Sequence, residues 1–334
     1  MKRRATVKLI GAALLGLALT AGNAMAQQKD KMDKVTVMLN WYLTGPNLAF
    51  YSGKERGYFE QEGLDLQIQE GRGSGPTVQA VAANNVTFGY ADISTMIKVA
   101  SKGAPVKAIG VAVQTSPIAL IGLAEKNIKK PADVKGKTVA VTPGDAPSQM
   151  WPIFLKKNGL TESDFKVVSG DAKTKVNAVI TGQAEVLIGF STDQTNEIEA
   201  ATKKPAHALL FADYGVNNVG LGIVAHRDLI ASNPDLLKRF MRAATKAFED
   251  AQKNPEGAVA LALKVNPKAA SQEALLTGLR ATLPLLHTPE SAKDRPFRVS
   301  AKAMNDTVNL MVESGGLDKG TGPATNFYTN DFLP

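Results

Sequence analysis

The sequence predicts an α/β protein of two lobes, each a mostly parallel sheet flanked by helices, and three observations lead there. Short apolar runs alternate with period two, and stretches of helical spacing follow them. That strand–helix rhythm runs β-α-β-α-β-α-β, breaks at a polar connector, and then restarts. Finally, once an apparent leader is removed, 308 of the 334 residues remain, about the size at which one core tends to divide in two. A single large doubly wound sheet is the alternative.

Val35, Val37 and Leu39 alternate with Thr36, Met38 and Asn40 as in a strand, and helical spacing follows Pro46 up to Gly57. The strand Leu64–Ile68 comes next at a crossover distance, which makes a parallel βαβ unit. A helix from Thr77, a strand from Val86 to Gly89 leading into Tyr90-Ala-Asp92, a helix from Ile93 and an apolar strand from Val106 to Val113 complete the first round. After a strand at Pro117–Leu123 and the connector Lys126–Gly136, the second round runs from Thr138 through strands at Lys166–Val168, Val186–Phe190 and Ala208–Phe211. Leu221–Ala225 is the last strand. From Pro234 the chain is helical to Val312, with Leu236, Leu237, Phe240, Met241, Ala244 and Phe248 forming one stripe. The expected division is residues 1–26 as leader, 34–116 with 222–334 as the first lobe, and 117–221 as the second.

The leader has Lys2, Arg3 and Arg4, an apolar run from Leu9 to Leu19, and Ala24-Met-Ala26. That is the pattern of a secretory signal cleaved after Ala26, which places the mature protein in the periplasm. Its removal takes four cations, so the formal net charge of +8 falls to +4, and no Lys/Arg cluster elsewhere marks a nucleic-acid surface. With no cysteine in the chain, disulfides, zinc–cysteine sites and thiol nucleophiles are excluded together.

Catalytic patterns are weak. Gly136-Lys137-Thr138 has Pro131 where a phosphate loop needs glycine, and it enters a strand instead of leaving one. His207, His226 and His287 lack metal-ligand spacing. The expectation is a non-enzyme without cofactor or metal.

Binding patterns are richer. In parallel sheets ligands sit beyond the carboxyl ends of strands, and the first strand ends in Asn40, Trp41 and Tyr42. Ser74, before Gly75 and Pro76, reads as a helix N-cap, and Gly144, Asp145 and Ala146 open a helix in the second lobe. Helix starts facing across a cleft could hold a polar or anionic group; ordinary capping is the alternative for each. Tyr90, Phe190 and Tyr214 join Trp41 and Tyr42 at strand ends, which favours a flat ligand between rings. Asp92 and Asp193 end strands in opposite lobes, where they could accept N–H donors or simply cap helices. Gln114, just past the fourth strand, completes the candidate set.

Leu39-Asn-Trp41, Gly57-Tyr-Phe59, Glu62-Gly-Leu-Asp65, Val86-Thr-Phe-Gly89, Gly103-Ala-Pro-Val106, Val134-Lys-Gly-Lys137 and Gly182-Gln-Ala-Glu185 resemble the NMT1/THI5-like substrate-binding proteins of alkanesulfonate, taurine, nitrate and thiamine-pyrimidine importers. The resemblance implies the type II periplasmic-binding-protein fold with two hinge crossings. It also implies a monomer that closes on a small molecule and delivers it to an inner-membrane ABC permease. The Asn40-Trp41 pair looks more like the pyrimidine branch, so a planar or ring-bearing solute is expected ahead of a sulfonate, nitrate or carboxylate. A fungal member makes the thiamine pyrimidine from its own histidine and a lysine-held pyridoxal phosphate. The positions aligned with those two residues are Ala91 and Thr95 here. Tyr42–Asn47 and Ser191–Gln194 also depart from the pyrimidine carriers.

Overall fold

The computed structural model describes residues 32–334; the expected leader and its cleavage site lie outside the described residues. Ten strands alternate with helices: β1 (Asp33–Leu39), β2 (Leu64–Gln69), β3 (Phe88–Asp92), β4 (Val106–Val111), β5 (Ile118–Leu123), β6 (Thr138–Val141), β7 (Lys166–Ser169), β8 (Val186–Phe190), β9 (Ala206–Leu210) and β10 (Leu221–His226). They form two five-stranded sheets, ordered β2-β1-β3-β10-β4 and β7-β6-β8-β5-β9. In each sheet the fourth strand alone runs against its neighbours: β10 in the first and β5 in the second. Each of these reversed strands is the first one reached after the chain changes sheets. The changes fall between Val111 and Ile118 and between Leu210 and Leu221. This is the two-lobe fold that the sequence predicts, with one strand per sheet reversed.

Helices α1 (Leu48–Glu55) and α2 (Tyr58–Gln61) link β1 to β2, α3 (Ser74–Ala82) precedes β3, and α4 (Ile93–Ala100) precedes β4. In the second lobe α5 (Ala146–Lys157), α6 (Ala172–Ile180) and α7 (Gln194–Thr202) take the corresponding places. After β10 come α8 (Arg227–Ser232), α9 (Pro234–Lys253), α10 (Pro255–Val265), α11 (Gln272–Thr282) and α12 (Ala301–Glu313). Pro234 and Pro255 open helices, and Pro267, Pro284, Pro289 and Pro296 lie in the breaks after α10 and α11, because proline cannot continue a helix without losing a hydrogen bond.

The strand alternation is the burial alternation: Val35, Val37 and Leu39 face the core, as do Leu64 and Leu66 on β2. The third strand starts later than its sequence suggests, at Phe88, and carries Tyr90 and Asp92 inside it. The fourth ends at Val111, where the chain leaves the sheet and Gln114 N donates to Leu285 O at 2.7 Å. Asn233 caps α9 by accepting from Leu236 N at 3.2 Å. That helix then lays Leu237, Phe240, Met241, Ala244 and Phe248 on the first sheet; the Phe240 and Phe88 rings stack at 4.0 Å.

The segment after α12 is irregular, yet it has a structural role. Ala108 N donates to Phe327 O, and Thr329 N donates to Ala108 O, each at 2.9 Å, and the connector before α12 adds a bond from Val111 N to Phe297 O at 2.8 Å. These bonds cover the outer edge of β4, which would otherwise present unpaired backbone groups.

Candidate functional site

The carboxyl ends of the two sheets face each other, and the strongest candidate site lies between them. Asn40, Trp41 and Thr44 come from the loop after β1, and Gly73 and Ser74 from the start of α3. Across the gap stand Asp145 and Ala146 at the start of α5, Lys175 of α6, Phe190 at the end of β8 and Asp193 beyond it. The loop after β1 is tied in place because Gly73 N donates to Asn40 O at 2.8 Å and Gly71 N to Trp41 O at 3.2 Å. Gln194 Oε1 accepts from Phe190 N at 3.0 Å and fixes that strand end.

This inner cavity has a volume of about 20 Å³, room for little more than one water molecule. It adjoins an outer cleft of about 830 Å³ that shares Trp41 and adds Tyr42, Glu70, Arg72, Lys173 and Lys268. The lobes touch along this seam. Gly75 N donates to Gly144 O at 3.1 Å, Tyr42 Oη donates to Glu197 Oε2 at 3.2 Å, and Lys175 Nζ lies 5.5 Å from the Trp41 ring centroid. A Cβ on Gly75 would stand 2.8 Å from Gly144 O, so the close approach requires glycine there.

Lys175 is the residue that sequence reasoning missed. Its side chain is 1% exposed, with Nζ 2.7 Å from Asp145 Oδ2 and donating to Ile188 O at 2.9 Å. A buried ammonium is tolerable only when paired and hydrogen-bonded, and both conditions hold. The clue in the sequence is spacing: Lys175 sits with Ala178 and Val179 on the inward face of α6.

Asp145 is an N-cap, as expected, accepting from Ser148 N at 2.8 Å. Ser74 is not: α3 begins at Ser74 itself, and its hydroxyl instead accepts from Asp92 N at 3.1 Å. The two helix starts do face each other across the cleft, but Gly75 N–H is bonded to Gly144 and Ser148 N–H to Asp145. The pair therefore lacks the open anion cradle that two bare helix starts would form.

Asp92 and Asp193 occupy the same place in the two sheets and have different fates. Asp92 is fully buried and caps α4 by accepting from Thr95 N at 2.9 Å; burial pushes its carboxyl up to about 7. Asp193 lines the inner cavity, and its Oδ1 is buried without a hydrogen-bond partner among the described residues. Burial, and then the nearby Glu197 charge, push its carboxyl up to about 8. Burial likewise raises Glu197, and it raises the Tyr42 phenol far above its ordinary range.

Three expected residues are elsewhere. Tyr90 is inside the first core, edge-on to Phe50 at 5.2 Å, with Oη donating to Pro46 O at 3.0 Å, so it has no free face for a ligand. Tyr214 packs edge-on to Phe154 and donates to Lys129 O at 3.1 Å, away from the cleft. Gln114 Nε2 donates to Val111 O at 2.7 Å and Arg298 O at 3.0 Å, beside a separate cavity at the crossing between sheets. Among the described residues no cluster of three His, Cys, Asp or Glu side chains is set to hold a metal, and no helix is long and apolar enough to cross a membrane.

Residues 46–258 match the family described as NMT1/THI5 like. The chain belongs to the NMT1/THI5-like family. Within reach of this NMT1/THI5-like chain is the riboflavin-binding protein RibY of Chloroflexus aurantiacus, 24% identical over 91% of this chain and 87% of its own. The formylaminopyrimidine-binding protein of Halalkalibacterium halodurans is 27% identical over 74% of each chain. A third relative, 4-amino-5-hydroxymethyl-2-methylpyrimidine phosphate synthase of Schizosaccharomyces pombe, is 25% identical over 67% of each. Among solved structures, the alkanesulfonate-binding protein SsuA of Xanthomonas axonopodis pv. citri, bound to MOPS, superposes with TM-score 0.68 at 15% identity, covering 89% of this chain and 98% of that one. At that identity the likeness concerns the fold. Most of these similar proteins are named as binders and one as a synthase.

Proposed function

We propose that this chain is the exported solute-binding component of an ABC importer, a monomer without turnover that delivers a small ring-bearing solute to an inner-membrane permease. The lobes are residues 34–116 with 222–334 and residues 117–221, and the two crossings between sheets act as hinges. The inner space of about 20 Å³ is too small for a ring, so the solute enters as the lobes part and is held by contacts from both.

The observation that carries the ring reading is the occupation of both helix starts and of the cavity's lysine. Gly75 N, Ser148 N and Lys175 Nζ are all bonded within the protein, while Trp41, Phe190 and the carboxyl of Asp193 remain to meet a ligand. A flat solute with amino or ring N–H donors suits those groups. A sulfonate or nitrate in the same place would find the cavity's ammonium already paired with Asp145. The residues we assign to the solute are Asn40, Trp41, Tyr42, Ala146, Phe190 and Asp193.

Calorimetry against riboflavin, a formylaminopyrimidine and an alkanesulfonate tests this. Stacking is worth roughly 1–3 kcal/mol per ring, so Trp41→Ala is expected to weaken the bound heterocycle about 10- to 100-fold. A sulfonate bound tightly and indifferent to Trp41→Ala overturns the reading. Native mass spectrometry of protein purified without refolding identifies a copurifying solute directly.

A further inference from the structure

The outer cleft differs in chemistry from the cavity beneath it. Arg72 enters it from the loop between β2 and α3, Lys173 from the first turn of α6, and Lys268 from the connector between α10 and α11. Three separate segments, two of the first lobe and one of the second, thus bring cations to one space. All three side chains belong to exposed residues, and none has a carboxylate within 4.0 Å among the described residues. The acids on the same walls are engaged. Glu70 Oε1 accepts from Leu43 N at 3.2 Å and Asn266 Nδ2 at 3.1 Å, Asp171 caps α6 through Thr174 N at 2.9 Å, and Glu197 holds Tyr42.

We propose that the mouth of the cleft is an anion subsite, in which Arg72, Lys173 and Lys268 hold a phosphate or similar charged arm of a solute whose ring lies against Trp41. The inference rests on the ring reading above and extends it to the substrate class: a heterocycle with an anionic substituent on a short arm. Trp41 borders both spaces, so a ring beside it can direct an arm outward. The outer volume of about 830 Å³ accommodates one. Arg72 can meet a phosphate with two parallel N–H donors, and the lysines add charge without fixed geometry. Because Lys173 belongs to the second lobe and the other two to the first, the arm would also bind the lobes together. Exposed charges at this distance are screened by salt, so the contribution must fall as ionic strength rises.

The test uses the whole protein and the triple variant Arg72→Gln, Lys173→Gln, Lys268→Gln, each position being exposed and outside the core. Inorganic pyrophosphate is titrated into both at low salt, and any heterocycle of the panel that binds is compared with its phosphate monoester. The expected result is measurable pyrophosphate binding that the triple variant loses. The monoester should bind about ten-fold tighter than its parent, with that advantage absent in the triple variant and reduced in high salt. Pyrophosphate that fails to bind, or binds the triple variant equally, overturns the subsite; so does a monoester that gains nothing over its parent. A heterocycle indifferent to Trp41→Ala, beside pyrophosphate lost in the triple variant, removes the ring reading and leaves the subsite standing.

Discussion

The two sheets share one strand order and one reversed position, but they are filled differently. The first is packed with fully buried aromatics, Phe50, Phe59, Phe88, Tyr90, Phe240 and Phe297, most of them stacked or edge-on to one another. The second meets α6 and α7 through small aliphatics such as Ala119, Ala140, Val179, Ala184 and Leu187, and its edge strand β7 leaves Val167 52% exposed. The difference lies in what covers each sheet. Long C-terminal helices return to the first and bring rings with them, whereas the second is covered on that face by its own two short helices. The contrast is confined to that face, because under α5 the second sheet has rings of its own, Trp151, Phe154, Phe165 and Phe211.

The largest expected effects are in the cores. Phe240→Ala should cost about 3–5 kcal/mol in urea unfolding. Leu187→Ala, in the aliphatic core, should cost roughly 2–5 kcal/mol and loosen the second lobe first. Hydrogen exchange reads the contrast: amides of Val139 to Val141 should lose protection in Leu187→Ala while those of Val35 to Leu39 keep it. Equal loss in both would mean that the lobes unfold as one unit, and the contrast would collapse.

Lys175→Met comes next. It leaves the buried Asp145 carboxylate unpaired, at a cost of roughly 3 kcal/mol or more, and the double variant with Asp145→Asn should recover over half. No recovery would mean that the lysine acts through packing alone.

A smaller effect separates the paired aspartates. Asp92 and Asp193 have folded-state values of about 7 and about 8, above the ordinary value of about 4. The folded state therefore binds more protons than the unfolded one in between, and their contribution to stability is full at low pH and lost as pH rises. Asp92→Asn should flatten the stability profile from about pH 4 to 7, and Asp193→Asn should flatten it up to about 8. Only Asp193→Asn should also change solute binding across that range. If Asp92→Asn changes binding equally, the cap and the site group are not distinct.

Much of the fold was legible because period two and helical spacing translate directly into buried faces: Val35, Val37 and Leu39 on β1, and the Leu237–Phe248 stripe on α9. The site was legible in part. Residues at the ends of β1 and β8 lie at the cleft because strand ends are fixed by topology. Tyr90, Tyr214 and Gln114 were misplaced because Tyr90 lies in the middle of β3, Gln114 past the end of β4 and Tyr214 in the turn after β9, positions from which only tertiary packing decides whether a side chain reaches the cleft. Lys175 escaped notice because its partner lies thirty residues away in the chain.

The bond from Gly75 N to Gly144 O gives the seam a property that side chains could not. It joins one backbone to another, so the register in which the lobes meet does not depend on which residues surround it. Trp41, Phe190, Asp193 or the cations at the mouth could be exchanged to suit a new solute while the lobes still met in the same alignment. Gly75 is the position where such freedom ends, because any added carbon would keep the halves apart.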